Sequence, residues 1–280
     1  INGGTVAAGA LTFTSSNGSL AGVTLQGDLT LPANTYATLT GGSSLVGSNI
    51  AIGSNSYIYW QQAGTLSGKA ITFGSGGLIY LSGGANHPLT LANTTTATGS
   101  ISIYTDGSLG NSFTNQGTIT HTGGNGQIFA NQVFNTGTIA ATAGSLNLGV
   151  STTGYAFANS IGGTINVNGA NISLNATTGE SFLNQGLIHV QAGTLFTAGK
   201  LLNDAPGVIR GAGTITGGIT MDGGTLEPGN SIGTLTLNGG AFSITDTTVF
   251  AFKLGGGNAD RLLFVNPTAP VNLGAGLVTL

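Results

Sequence analysis

The chain of 280 residues has no cysteine, one methionine, one tryptophan, three histidines and six prolines, and only 5% of its residues are charged. Each shortage removes a class. Without cysteine there is no disulfide framework and no thiolate chemistry. Surface helices need Lys, Glu and Arg on their wet face, and five basic plus eight acidic residues cannot supply several of them. A net charge of −3 with no basic cluster argues against nucleic acid. Uninterrupted apolar runs such as "LLFV" at 262–265 are far too short to span a membrane as a helix. Gly-broken segments without aromatic girdles do not read as a membrane barrel. The chain opens on Ile1 with no signal-peptide pattern, as expected of a processed or excised segment.

What is abundant is glycine, 51 of 280 residues, on a 40% hydrophobic background. Disorder needs low hydrophobicity with high charge, and collagen needs a glycine every third position, so neither fits. Between the glycines lie short Thr-, Ile-, Val- and Leu-rich pieces: "LTFT", "NIAIG", "SISIY", "GTLTLNG". These are strands bounded by turns. The polar surface must then be made of Thr, Ser, Asn and Gln, which favours an extracellular setting.

The pieces repeat. "FTNQGTI" (113–119) returns as "VFNTGTI" (133–139), "FANSIGGTI" (157–165), "FLNQGLI" (182–188) and, degenerately, "LLNDAPGVI" (201–209). The asparagines Asn115, Asn135, Asn159, Asn184 and Asn203 are 20, 24, 25 and 19 residues apart. That period suits three short strands and three turns, the coil of a parallel β-helix whose coils stack about 4.8 Å apart. Ile119, Ile139, Ile165, Ile188 and Ile209 should form one inward column. Phe113, Phe134, Phe157 and Phe182 should form a second, continued by Leu201 or Leu202. The asparagines should bond to one another across coils at a bend. The glycines after them (Gly117, Gly137, Gly163, Gly186, Gly207) should supply backbone angles that other residues resist.

The first hundred residues keep the period without the Asn phrase. "YIYW", "LIYL", "SIYT" and "QIFA" place Tyr59, Tyr80, Tyr104 and Phe129 one per coil, each directly after an isoleucine: Ile58, Ile79, Ile103 and Ile128. Neighbours on a strand face opposite ways. We place the isoleucines inside and the four aromatics outside, where they would line one face and contact a partner protein or a glycan; the alternative buries the aromatics instead. The whole reads as one all-β domain, a parallel β-helix of roughly a dozen coils over residues 1–218. Residues 219–280 form its C-terminal end or cap, continuous with the first part.

The stretch 221–265, "MDGGTLEPGNSIGTLTLNGGAFSITDTTVFAFKLGGGNADRLLFV", resembles the end of the passenger region in bacterial autotransporters. In that family a Gly-Gly-x-Leu-x-Pro-Gly-Asn-Ser-x-Gly-Thr-Leu phrase precedes an Asp-x-Leu phrase, here Gly223–Leu235 and Asp260–Leu262. The Asn-x-Gly-Thr-Ile repeats are similar to passengers of that family and of filamentous-haemagglutinin-like adhesins. The resemblance implies a right-handed β-helix exported to the bacterial cell surface for adhesion or structural display. The family's membrane barrel has no counterpart before Leu280.

Motifs that could carry chemistry are few. "GTLSGKA" (64–70) lacks the spacing and the Ser or Thr of a phosphate loop, and "GAGTITGG" (211–218) has no helix after it. "GGNGQI" has Ile128 where a calcium β-roll needs Asp. His87, His121 and His189 lack metal-ligand spacing and read as solvated or turn residues. A glycan-cleaving site would need clustered carboxylates. The best group is Asp204, Arg210, Asp222 and Glu227, with Asp204 and Asp222 spaced to stack on adjacent coils and the four readable as charged turns. Asp260 and Arg261 should end a strand. Thr-x-Thr phrases at Thr118, Thr214 and Thr234 are too scattered for an ice-binding array. The expectation is a non-enzymatic structural or adhesive solenoid without metal or cofactor. Its partners would be further copies of itself in an oligomer or filament, or surface glycans, with no nucleic acid and no membrane insertion by this chain.

Overall fold

A computed structural model describes residues 1–14, 17–150, 157–175, 181–255, 257–268 and 271. Among these residues there is no helix, and hence none long and apolar enough to cross a membrane. The chain winds into a parallel β-solenoid of about 11 turns. Each coil visits three faces in the same order. In the coil that begins at Phe113, the strands are Phe113–Asn115, Thr118–His121 and Asn125–Ala130. We call their ladders the Asn face, the Ile face and the aromatic face.

The Ile column is continuous. Ile119 pairs with Ile139, Ile139 with Ile165, Ile165 with Ile188 and Ile188 with Ile209. The column reaches back through Ala97 and Ile71 to Ile50, and forward to Leu226 and Phe250. All are buried, because side chains alternate along a strand and equivalent positions stack between coils. A fully buried isoleucine contributes about 1.5–3 kcal/mol over an exposed one. No coil could collect that alone.

The Phe column differs by one residue. Phe113, Phe157 and Phe182 are buried, and the last two stack at 4.2 Å between centroids, but Val133 occupies the inward position and Phe134 faces out. Leu201 continues the column and Leu202 lies on the outer side. The inward residue is the one two before the asparagine, so both point the same way.

All five asparagines are fully buried. The Nδ2 of each of the first four donates to the next Oδ1, at 2.8 Å from Asn115 to Asn135, 2.7 Å to Asn159, 2.7 Å to Asn184 and 2.6 Å to Asn203. The first four also donate to a carbonyl one coil on, from Thr138, Thr164, Leu187 and Val208. The glycines that follow do a different job from the expected one. None of the five has positive φ. A Cβ on Gly137 would instead collide with the Gly117 carbonyl oxygen, and one on Gly186 with that of Gly163. Space between coils, not backbone conformation, requires glycine there.

The ladders continue past residue 218. Ile219–Asp222 pairs with Phe242–Asp246, Thr225–Pro228 with Val249–Phe250, and Thr234–Asn238 with Arg261–Val265. Phe242, Phe250 and Phe264 cluster at this end with centroids 5.5 and 6.3 Å apart. Asp260 and Arg261 open the last strand rather than closing one. Asp260 is buried, and its carboxylate accepts N–H bonds of 2.8 Å from both Gly233 and Lys253. It thereby ties the turn ending at Gly233 to Lys253, which directly precedes the strand Leu254–Gly255.

Candidate functional site

The aromatic face carries a patch of rings, distinct from the outward row of Phe134, Ala158, Leu183 and Leu202 on the Asn face. Ile58, Ile79, Ile103 and Ile128 are buried and stacked in register. Tyr59, Tyr80, Tyr104 and Phe129 therefore lie outside, as strand alternation demands. The rings follow one another at 5.8, 5.8 and 6.5 Å.

The strip is wider than four residues. Tyr57 sits two places before Tyr59, hence on the same face, and pairs with Tyr36 one coil earlier. Tyr36 lies 5.0 Å from Tyr57 and 6.3 Å from Tyr59, and Tyr57 is 6.3 Å from Tyr59. Five of the chain's six tyrosines thus form one contiguous array. The signal was available in "YIYW", whose alternate residues share a side.

The array spans five coils, about 19 Å at the usual strand spacing. Beyond Phe129 it stops at Gly149, where a Cβ would come within 2.7 Å of Phe129 Cε1. That glycine lets the ring lie flat across the next coil.

Every ring is half-buried, because its neighbours cover part of it. Tyr80 and Tyr104 lie nearly parallel, with planes 15° and centroids 5.8 Å apart. Sugar stacking needs a free, flat ring face, whereas here successive rings are tilted against one another and each covers part of the next. Burial, with the Asp106 carboxylate second, holds the Tyr80 phenol proton more firmly than usual. The other outward residues beside the rings, such as Thr38, Gln61, Leu78, Ser102 and Gln127, are uncharged.

The acidic group suggested by the sequence divides. Asp204 and Asp222 do stack on adjacent coils of the Asn face, with Asp246 next in the row. Arg210 and Glu227 belong to the Ile face. Asp204 accepts from Gln185 Nε2 at 2.8 Å and Asp222 from the Thr245 hydroxyl at 2.6 Å. Glu227 is paired with Lys253. Among the described residues no group of three or more acidic or histidine side chains could hold a metal ion.

The histidines are not all solvated. His121 is fully buried in the same inward row as Ala141 and Val167. Its Nδ1 accepts the Ile101 N–H at 3.2 Å, which places the ring proton on Nε2, facing the Gly124 carbonyl at 3.3 Å. Burial pushes its pKa below the ordinary value. His189 is half-buried outside, stacked in register between Asn166 and Arg210; burial and then the Arg210 charge lower its pKa. Lys69, in the glycine-bracketed "GTLSGKA", spends its ammonium on the Val46 and Gly47 carbonyls. Thr96-x-Thr98 and Thr118-x-Thr120 are in register, but Ala140 interrupts the next coil.

No protein-family model matches the chain, and comparison with curated proteins and with solved structures finds no match.

Proposed function

We propose that this chain is a non-enzymatic, exported structural or adhesive β-solenoid of a bacterial surface or fibre. In this reading its aromatic strip packs against neighbouring protein, in the first place another copy of itself. The observation that carries the reading is the strip: six aromatic rings on five consecutive coils of one face. Apolar patches of this kind mark contact sites. A protein partner is favoured over a glycan because the rings pack on one another at varied angles and stay half-buried, which leaves no flat open platform for a sugar ring. Few charges line the patch, so two copies meet little repulsion. The resemblance of 221–265 to passenger ends supports export to the cell surface, and the Ser-, Thr- and Asn-rich exterior agrees with it.

Half-buried rings offer only part of their area. A stable pairwise interface needs roughly 800 Å² per partner. The strip is smaller than that, so the contact is weak singly and effective when repeated along a fibre or array.

The test replaces Tyr59, Tyr80 and Tyr104 together by serine and follows association by sedimentation and electron microscopy, with circular dichroism to monitor the fold. Lost lateral association with retained β structure is the expected result. A second variant, Ser102→Lys with Gln127→Lys, puts charge beside the rings without removing any. If both variants associate like the parent, the strip is not the contact. Binding of the parent to neutral oligosaccharides, abolished by the triple serine variant, would replace the protein partner by a glycan.

A further inference from the structure

The array also has a chemistry that packing alone does not use. Five phenols lie in van der Waals reach of one another: 5.0 Å for Tyr36–Tyr57, 5.8 Å for Tyr59–Tyr80 and for Tyr80–Tyr104, and 6.3 Å for the two contacts that join the pair to the column. No phenol oxygen is among the buried polar atoms that lack a partner, which agrees with hydroxyls pointing to the surface. The chain has no cysteine, so no disulfide can tie one coil to the next.

We propose that Tyr36 and Tyr57 form a site of oxidative cross-linking, in which a one-electron oxidant converts the pair to dityrosine and so staples two adjacent coils. The pair is in direct register on neighbouring strands, and its rings are the nearest of the five. Two benzene rings joined by a single bond have centroids only a little closer than 5.0 Å and are twisted rather than coplanar; Tyr36 and Tyr57 are already inclined at 48°. Tyr80 and Tyr104, nearly parallel at 15°, would have to tilt and approach further. Each phenol gives up one electron and one proton to become a phenoxyl radical. The two radicals join through the carbons ortho to their oxygens, and each ring then returns its ortho hydrogen to its own oxygen. The balance is two phenols converted to one biaryl with loss of two hydrogen atoms, which one hydrogen peroxide, acting through a peroxidase, takes up as two waters. Tyr59, Tyr80 and Tyr104 extend the target: a radical formed on any of them can pass by electron transfer along contacts of 6.3 Å or less to the pair that couples.

This does not depend on the proposed self-association, since both rings belong to one chain. The experiment treats the dilute folded chain with peroxidase and hydrogen peroxide. It follows dityrosine fluorescence, checks chain mass on a denaturing gel, and locates the linked peptides by mass spectrometry. The expected product is a monomer lighter by two hydrogens, with Tyr36 joined to Tyr57. Tyr57→Phe keeps the ring and removes the phenol, so it should abolish this link and leave the fold unchanged by circular dichroism. Tyr104→Phe, at the far end of the column, should keep it. Equal yield from the urea-unfolded chain, links only between chains, or coupling spread evenly over the tyrosines would each overturn the proposal.

Discussion

Replacing Asn159 by Ala removes the middle of the amide ladder, and its cost can be worked from the bonds. Asn159 accepts from Asn135 at 2.7 Å and donates to Asn184 at 2.7 Å and to the Leu187 carbonyl at 3.2 Å. After the change Asn135 Nδ2 still reaches the Gly137 and Thr164 carbonyls. Asn184 Oδ1 does not fare so well, because its one ladder donor is gone. Two buried side-chain bonds at about 0.5–1.5 kcal/mol each, plus one orphaned acceptor at about 1–3 kcal/mol, give about 2–6 kcal/mol, centred near about 4. Asn115→Ala is the control. It also orphans an acceptor, on Asn135, but it deletes Asn115 Oδ1, which is itself buried without a partner. The two cancel, and one ladder bond is lost, about 1 kcal/mol. Asn203→Ala, at the other end, strands no acceptor and should cost a similar amount. Because a solenoid need not unfold as one unit, the assay is native-state hydrogen exchange of amides in the 157–190 coils, supported by urea titration. Equal losses for Asn115→Ala and Asn159→Ala would refute the reasoning, since volume removed is identical and only connectivity differs.

Gly137→Ala should cost at least about 3 kcal/mol, because the new methyl meets the fixed Gly117 carbonyl. Gly42→Ala, at φ 78° with open space around it, should cost only about 1 kcal/mol of backbone strain. Urea midpoints decide between space and conformation as the main demand on glycine. Acid should weaken the fold through His121. Burial favours its neutral form in the folded chain, so the unfolded chain, titrating near about 6.5, takes up the proton first. The stabilisation is therefore present above that pH and lost as pH falls toward the depressed folded value. His189 contributes with the same sign. His121→Gln should flatten the stability–pH curve between neutrality and mild acid, and an unchanged slope would place the sensitivity elsewhere.

The coil, the Ile column and the Asn ladder were legible in the sequence because period and parity are enough to specify them. Parity also explains what went astray. Matching letters aligned Phe134 with Phe113, yet Phe134 stands one residue before its asparagine and Phe113 stands two before. A one-residue slip turns a side chain to the other face. His121 follows Ile119 by two and so had to be inward, a clue its polar character concealed. Asp204 and Arg210 are near in sequence but on different faces, because a turn of the solenoid comes between them. The Asp260 clamp had no periodic signal at all, since its partners Gly233 and Lys253 lie in turns.

The two coil-binding devices divide the rod between them. From Asn115 to Asn203 the amide ladder links consecutive coils from within. Before Asn115 the equivalent inward places are held by Leu91 and Leu66, which cannot bond across coils. Isolated polar side chains take over at corners there: Ser43 reaches the Leu20 carbonyl, Ser56 that of Pro32 and Thr95 that of Leu66, and the Gln62 and Asn111 amides bond backbone groups one coil back. The aromatic strip occupies this same half, from Tyr36 to Phe129, and overlaps the ladder only at its end. Mutual ring contact outside thus reinforces the coils that lack the asparagine ladder inside. Such contacts are worth about 0.5–1.5 kcal/mol per pair. The strip is then a structural element as well as a surface, and the triple serine variant should lower the stability of residues 36–105 by a few kcal/mol while leaving the 157–209 coils unchanged. Hydrogen exchange resolved by region checks this, and a loss shared evenly by both halves would mean that the rings stabilise nothing locally.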